Sequence, residues 1–197
     1  MNGHSAGRES SGSGTNTARL FAAVELPDAL RSQLAELKKD FPGLRWMVPE
    51  NMHITLRFIG EVDGQKSDKA QSALREVRLA PFSLHVQGLG LFEMRHQSVL
   101  WAGVQTSASL LELKRQVDGV LAWGIGLDVE RGRFTPHITL SRIRTGVSAA
   151  LREQIECCRY TGKSFVAESF TLFHSVLSFA GAAHSPLERY PLVAPGT

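Results

Sequence analysis

The tetrapeptide His-Ile-Thr-Leu occurs twice in this chain, at residues 53–56 and again at 137–140. On a β-strand successive side chains point to opposite faces. Each copy therefore sets an imidazole (His53, His137) beside a hydroxyl (Thr55, Thr139) on one face, with two aliphatic side chains on the other. Imidazole titrates near neutrality, so two of them can divide proton transfer, one neutral as general base and one protonated as general acid. Threonine hydroxyls can donate to non-bridging phosphate oxygens, and a nearby arginine can offset negative charge that develops at phosphorus. That set suits hydrolysis of a phosphodiester without a metal. Two histidines are too few for a closed zinc site, and neither motif contains Asp, Glu or Cys. No metal and no other cofactor is expected. A single His-x-Thr in a strand is most often a surface or packed pair. The repetition is what points to chemistry.

Elements that could position the motifs follow from periodicity. Residues 18–26 read as a buried strand, and Leu30, Leu34, Leu37 and Phe41 give the apolar stripe of a helix opened by Pro27-Asp28. A short strand is expected at 44–48, then the first motif strand at 52–59. In that strand His53, Thr55 and Arg57 share one face, and Met52, Ile54, Leu56 and Phe58 share the core face. A helix over 66–79 and an alternating strand over 82–90 complete the first half. The pattern then restarts with a strand at 98–104. A helix follows, opened by a Ser109/Glu112 capping box and broken by Gly124 and Gly126. The second motif strand is expected at 134–141, a fourth helix through Val147, Leu151, Ile155 and Cys158, and closing strands at 164–166, 169–179 and 187–193. Each half reads strand, helix, motif strand, helix, strand. The expected fold is α+β, with two pseudo-symmetric lobes facing one another across a groove.

The composition fits such a domain. The chain has 197 residues, 43% of them hydrophobic, enough to bury a sizeable core. There is no run of ~18 apolar residues, so no membrane span is expected. Residues 1–17 are Gly/Ser-rich without hydrophobic period and read as a disordered tail, leaving 18–197 as a single domain. Cys157 and Cys158 are adjacent, which disfavours a disulfide between them. They read as reduced thiols of a cytoplasmic protein. No sustained heptad is visible, so a monomer is expected. Net charge is only +3, but Arg131, Arg133, Arg142 and Arg144 cluster around the second motif. Such a patch can attract and hold phosphate.

The segments RLFAAVELP, LRWMVPENMHITLRFIGEV, PFSLHVQGLGLF, VLWAGV, FTPHITLSR and LERYPL, spread over residues 19–192, resemble a known family. It is the RNA 2′,3′-cyclic phosphodiesterases of the 2′-5′ RNA ligase type, within the two-histidine phosphoesterase superfamily. The resemblance implies a bilobal fold around a central groove, each lobe an antiparallel sheet with helices on its outer face, and hydrolysis of RNA 2′,3′-cyclic phosphate termini to 2′-phosphate termini, with 2′-5′ RNA ligation as a related capacity. Small cyclic nucleotides are an alternative substrate. Carried over, His53 matches the proton donor and His137 the acceptor. Thr55, Thr139 and Arg142 match the phosphate-contacting residues. The two motifs are identical, so the residues alone do not divide acid from base. The readings left beside this one are a related phosphodiesterase acting on 2′-5′ linkages or small cyclic nucleotides, and a non-catalytic RNA-end binding module.

Strict alternation puts Arg142 opposite His137. It can share the site only if the strand ends or bulges near Ser141. Trp46 and Phe134 flank the motifs and are candidate base contacts by stacking, with core packing the alternative. Trp101 and Trp123 read as core. His85 and His96 read as solvated, His174 as structural. His184 stands where many relatives carry an aromatic residue.

Overall fold

The computed structural model describes residues 17–128, 130, 132–144, 146–158, 160–178, 181–194 and 196. The expected tail, apart from Thr17, lies outside these residues, as do Arg131 and Phe179. The chain is α+β, in the order β1 (Ala18–Glu25), α1 (Asp28–Glu36), β2 (His53–Val62), α2 (Gly64–Leu74), β3 (Phe82–Glu93), β4 (Ser98–Val104), α3 (Ala108–Ile125), β5 (His137–Ile143), α4 (Ala149–Cys157), β6 (Lys163–Ala167), β7 (Ser169–Ser178) and β8 (Gly181–Pro191). Short 3-10 turns at Leu37–Asp40 and Pro49–Asn51 complete it.

All eight strands form one antiparallel sheet in the order β6-β3-β4-β5-β2-β1-β7-β8. The two motif strands are its centre. They meet at a seam where Ile54 faces Ile138. Outward from the seam run two four-stranded halves, β2-β1-β7-β8 and β5-β4-β3-β6. These are the two lobes, but they do not follow the halves of the sequence. Strand β3 crosses to pair with β4, and β7 returns to pair with β1. One lobe is therefore a continuous segment held between the two parts of the other.

The helices cover the sheet face that carries Ile54, Leu56, Ile138 and Leu140. One core joins these residues to Leu30 and Leu34 of α1, Ala70 and Leu74 of α2, Leu113, Val117 and Leu121 of α3, and Ile155 of α4. A smaller cluster, Phe21, Ala23 and Phe173, lies apart from it. Asp63, Ser107 and Ser148 cap α2, α3 and α4 by accepting from Lys66 N, Leu110 N and Leu151 N. The cap of α3 is thus Ser107, and Glu112 of the expected capping box pairs with Arg115 instead. Helix α3 also runs through Gly124 and ends at Gly126, whose φ of 67° is the left-handed stop. Gly124 is small because α2 crosses there, where a Cβ would lie 2.8 Å from that of Ala73.

Several elements differ in extent from the pattern. Residues 44–48 contribute only an isolated bridge, Trp46 to Ser141. Helix α2 stops at Leu74 rather than 79, and β2, β3 and β8 are longer than their apolar alternation. Trp123 is 90% exposed rather than core. Among the described residues no helix is long and apolar enough to cross a membrane.

Candidate active site

The first motif strand carries a β-bulge. Ala23 pairs with Thr55 and Ala22 with Arg57, so Leu56 is an extra residue. The second does the same. Trp101 pairs with Thr139 and Leu100 with Ser141, so Leu140 is extra. A bulge resets alternation. Leu56 and Arg57 are consecutively buried, as are Leu140 and Ser141. The sixth position of each copy therefore returns to the face of the histidine. In β5 that residue is Arg142, which resolves the parity conflict. In β2 it is Phe58, 56% exposed and facing the groove rather than the core. Arg57 turns to the core side instead and does not share the face of His53.

The result is a cavity of about 330 Å³ lined by His53, Thr55, His137, Thr139, Arg142 and His184, with Phe21, Phe58 and Phe92 among its walls. Both halves of the repeat thus face one space. Trp46 is not in that wall. Its ring stacks on Phe41 at 5.9 Å and packs against the core. Phe134 lines an adjoining cavity that shares Thr55, Phe58, Phe92 and His137 with the first. Lys114 Nζ lies 5.7 Å from the centre of its ring. Arg144 is exposed outside these walls. His85 bonds Ser164 through Nδ1 at 2.9 Å. Among the described residues no group of three or more His, Cys, Asp or Glu is arranged to hold a metal ion.

The tautomer of His137 follows from its partner. Nδ1 lies 2.9 Å from the Thr135 carbonyl oxygen, which can only accept. Nδ1 therefore carries the hydrogen, and in the neutral ring Nε2 is left with a free lone pair. Burial lowers the pKa of His137, the Thr135 bond opposes this, and Arg142 lowers it further. His53 is displaced more, down to about 4. Burial is the largest cause, followed by His184, with Arg142 and His137 adding to it against a backbone hydrogen bond to Asn51. Each histidine thus bonds the backbone two residues before it. Both shifts favour the neutral ring at pH 7, and an arriving anion would favour the charged one.

The fifth position of each motif reaches the segment that leads into the other motif. The Arg57 guanidinium donates to the Asp128 carbonyl, and its Nη1 lies 3.6 Å from both Asp118 and Glu130. Lys114 joins the same two carboxylates at 2.6 and 3.0 Å. Ser141 Oγ donates to the Arg45 carbonyl at 2.9 Å. The two straps cross the seam in opposite senses and tie each motif to the approach of its twin.

Among the wall residues not foreseen as site residues are Phe21, Phe58, Phe92 and His184. Phe58 was findable. Aligning HITLRF with HITLSR puts it opposite Arg142. Phe21 reads as core by pattern, and the other two come from strands whose register the sequence does not state.

A family model described as LigT-like phosphoesterase matches residues 24–101. The chain is 37% identical over 134 residues to the RNA 2′,3′-cyclic phosphodiesterase of Thermotoga maritima, an alignment covering 64% of this chain and 70% of that one. It is 30% identical over 179 residues to the Escherichia coli protein of the same name, covering 88% and 96%. The crystal structure of E. coli LigT complexed with 3′-AMP superposes with a TM-score of 0.76 at 27% identity, covering 90% of this chain and 99% of that one.

Proposed function

The chain belongs to the LigT-like phosphoesterases, and from that premise we propose that it hydrolyses RNA 2′,3′-cyclic phosphate termini to 2′-phosphate termini without a metal. The observation that carries this reading is the pair of bulged motif strands, which turn two imidazoles, two hydroxyls and Arg142 into one cavity. Nε2 of His137 takes a proton from water, and the water oxygen attacks phosphorus. The bond from phosphorus to the ribose 3′-oxygen breaks, and His53 protonates that oxygen. Thr55, Thr139 and Arg142 hold the non-bridging oxygens as negative charge grows on them. The phosphate anion raises the pKa of His53 on binding, so the acid is charged when it is needed. The 3′-AMP bound to E. coli LigT supports an occupant of nucleotide size. Both histidines, both threonines and Arg142 come from one chain, so the proposed chemistry calls for no second copy. Free Cys157 and Cys158 suit a cytoplasmic setting.

The test is ring opening of an oligoribonucleotide ending in a 2′,3′-cyclic phosphate, with product analysis and an arm in excess EDTA. The expected product is the 2′-phosphate, at the same rate with EDTA. A 3′-phosphate product would move the acid to the 2′-oxygen. Activity lost in EDTA and restored by a divalent ion would replace the two-histidine mechanism. Tight binding without turnover would make the chain an RNA-end binding module. Turnover confined to 2′-5′ linkages or small cyclic nucleotides would change the substrate.

A further inference from the structure

We propose that His184 is a third anion-binding imidazole of this site, one that takes up a proton and donates to a phosphate oxygen only when the phosphate is present. The inference deepens the proposed function and rests on it for the identity of the anion.

The placement of His184 is specific. Asn51, two residues before His53, donates from Nδ2 to the Ala182 carbonyl at 2.8 Å. That bond ties the start of β8 to the approach of β2. His184 follows two residues later and pairs across the ladder with Ser175, another residue of the cavity wall. Its ring stands edge-on to His53, with centroids 5.4 Å apart and planes at 83°, and edge-on to Phe21 at 4.9 Å. Nδ1 of His184 is buried and has no hydrogen-bond partner. Among the described residues, therefore, no hydrogen-bond acceptor at this nitrogen favours a charge on the ring.

The charged and titratable neighbours explain why. Facing the cavity are Arg19 from β1, His53 from β2, His137 and Arg142 from β5, and His184 from β8. Strand β7 contributes Ser175, and the approach to β2 contributes Met47 and Asn51, all uncharged. No Asp or Glu is among these wall residues. A cavity with two guanidinium groups, three imidazoles and no carboxylate among its described wall residues favours the neutral form of each imidazole. Burial, with Arg142 adding to it, lowers the pKa of His184 accordingly. An oxyanion reverses the sign of that field. His184 and His53 sit on the same wall of the cavity, so the anion that charges one is within the field of the other. His184 then contributes an N–H donor and part of the positive charge that holds the phosphate.

Sulfate separates this claim from catalysis, because it is a tetrahedral oxyanion that does not titrate near neutrality. Sulfate binding is measured calorimetrically between pH 5 and 8, in buffers of different ionisation heat so that proton uptake is counted. The wild-type chain should bind sulfate more tightly as pH falls, taking up protons as it does so. His184→Phe should bind roughly tenfold more weakly at the acid end, as for one lost charge-assisted hydrogen bond, and take up fewer protons. His184→Gln keeps a neutral donor in nearly the same shape. It should match wild type near pH 8 and show a smaller gain on acidification, with only His53 and His137 left to take up protons. Wild-type affinity, pH slope and proton count in either folded variant would overturn the proposal. A chain that shows the His184-dependent slope but does not open cyclic phosphates would refute the proposed function and leave this inference standing.

Discussion

Strands β2 and β5 carry the same four residues, the same bulge at the fourth and the same backbone bond two residues before the histidine. Their surroundings differ. His53 is packed among Phe21 at 4.8 Å, His184 at 5.4 Å and Phe173 at 6.1 Å. His137 meets Phe92 edge-on at 4.8 Å and Trp101 at 6.5 Å, beside an open adjoining cavity. Trp101 can lie there because Gly90 has no side chain, where a Cβ would fall 2.3 Å from the indole. The fifth position is Arg57 in one copy and Ser141 in the other, and the sixth is Phe58 or Arg142. The shared part of the repeat builds geometry, bringing two imidazoles to one cavity. The divergent part separates roles. In the proposed mechanism the more deeply packed ring, with the lower pKa, is the stronger acid once protonated, and the ring beside the open adjoining cavity is the base.

If both copies take part in the chemistry, the largest losses come from the histidines themselves. His53→Ala and His137→Ala should each lower kcat on a cyclic phosphate by roughly 10²–10⁴-fold, measured in single turnover. A large loss from one alone would leave the other copy a structural echo. The sixth position gives the next effect. Arg142→Ala should lower kcat/KM by roughly 10²-fold through lost transition-state charge balance. Phe58→Ala should act mainly on KM, and Arg144→Ala should do little. Equal losses at Arg142 and Phe58 would erase the proposed asymmetry.

The fifth position should show in stability rather than rate. Arg57→Met leaves Asp118 and Glu130 with Lys114 alone. It should cost about 2–3 kcal/mol in denaturant unfolding, less than a fully buried pair because Glu130 is half-exposed. Ser141→Ala should cost about 1 kcal/mol. The reverse order would mean that the Arg57 cluster is solvated in solution.

The smallest effect is a shift in pH dependence. The protein's own surroundings lower the pKa values of both histidines. The form with one proton on the pair is therefore most populated below pH ~6.5, the unperturbed value. The maximum of kcat/KM, which reports the free enzyme, should lie on that acid side. The kcat maximum should lie at higher pH, because bound phosphate raises both values. Coincident maxima would remove the anion from the account of how His53 acquires its proton.

What the sequence could reveal depended on whether a feature was periodic. The alternation around Ile54 and Ile138 marked both motif strands, and the helix stripe Leu110, Leu113, Val117, Leu121 marked α3. The bulges break that period at Leu56 and Leu140, and so every residue beyond them was assigned to the wrong face unless a bulge was allowed. Phe58 and Arg57 changed sides for this reason, and Arg142 came to the cavity for the same one. The exchange of β3 and β7 between lobes is a long-range pairing that local pattern does not encode. His184 stood out only through the resemblance, and its contact with His53 was out of reach because the two are 131 positions apart in the chain. Trp123 misled because size and hydrophobicity favour burial on average, and the end of α3 simply leaves it outside.

Acid and base are separated most directly by changing the leaving group. A ribose alkoxide needs a proton to depart, whereas an activated aryl oxide does not. Water needs a base in either case. The measurement is the activity of His53→Ala and of His137→Ala, each relative to wild type, on a cyclic phosphate and on an aryl phosphodiester. The account predicts that His53→Ala recovers most of its relative activity on the aryl substrate while His137→Ala stays impaired. Recovery in His137→Ala instead would mean that the roles are exchanged, and recovery in neither would contradict proton transfer by this pair.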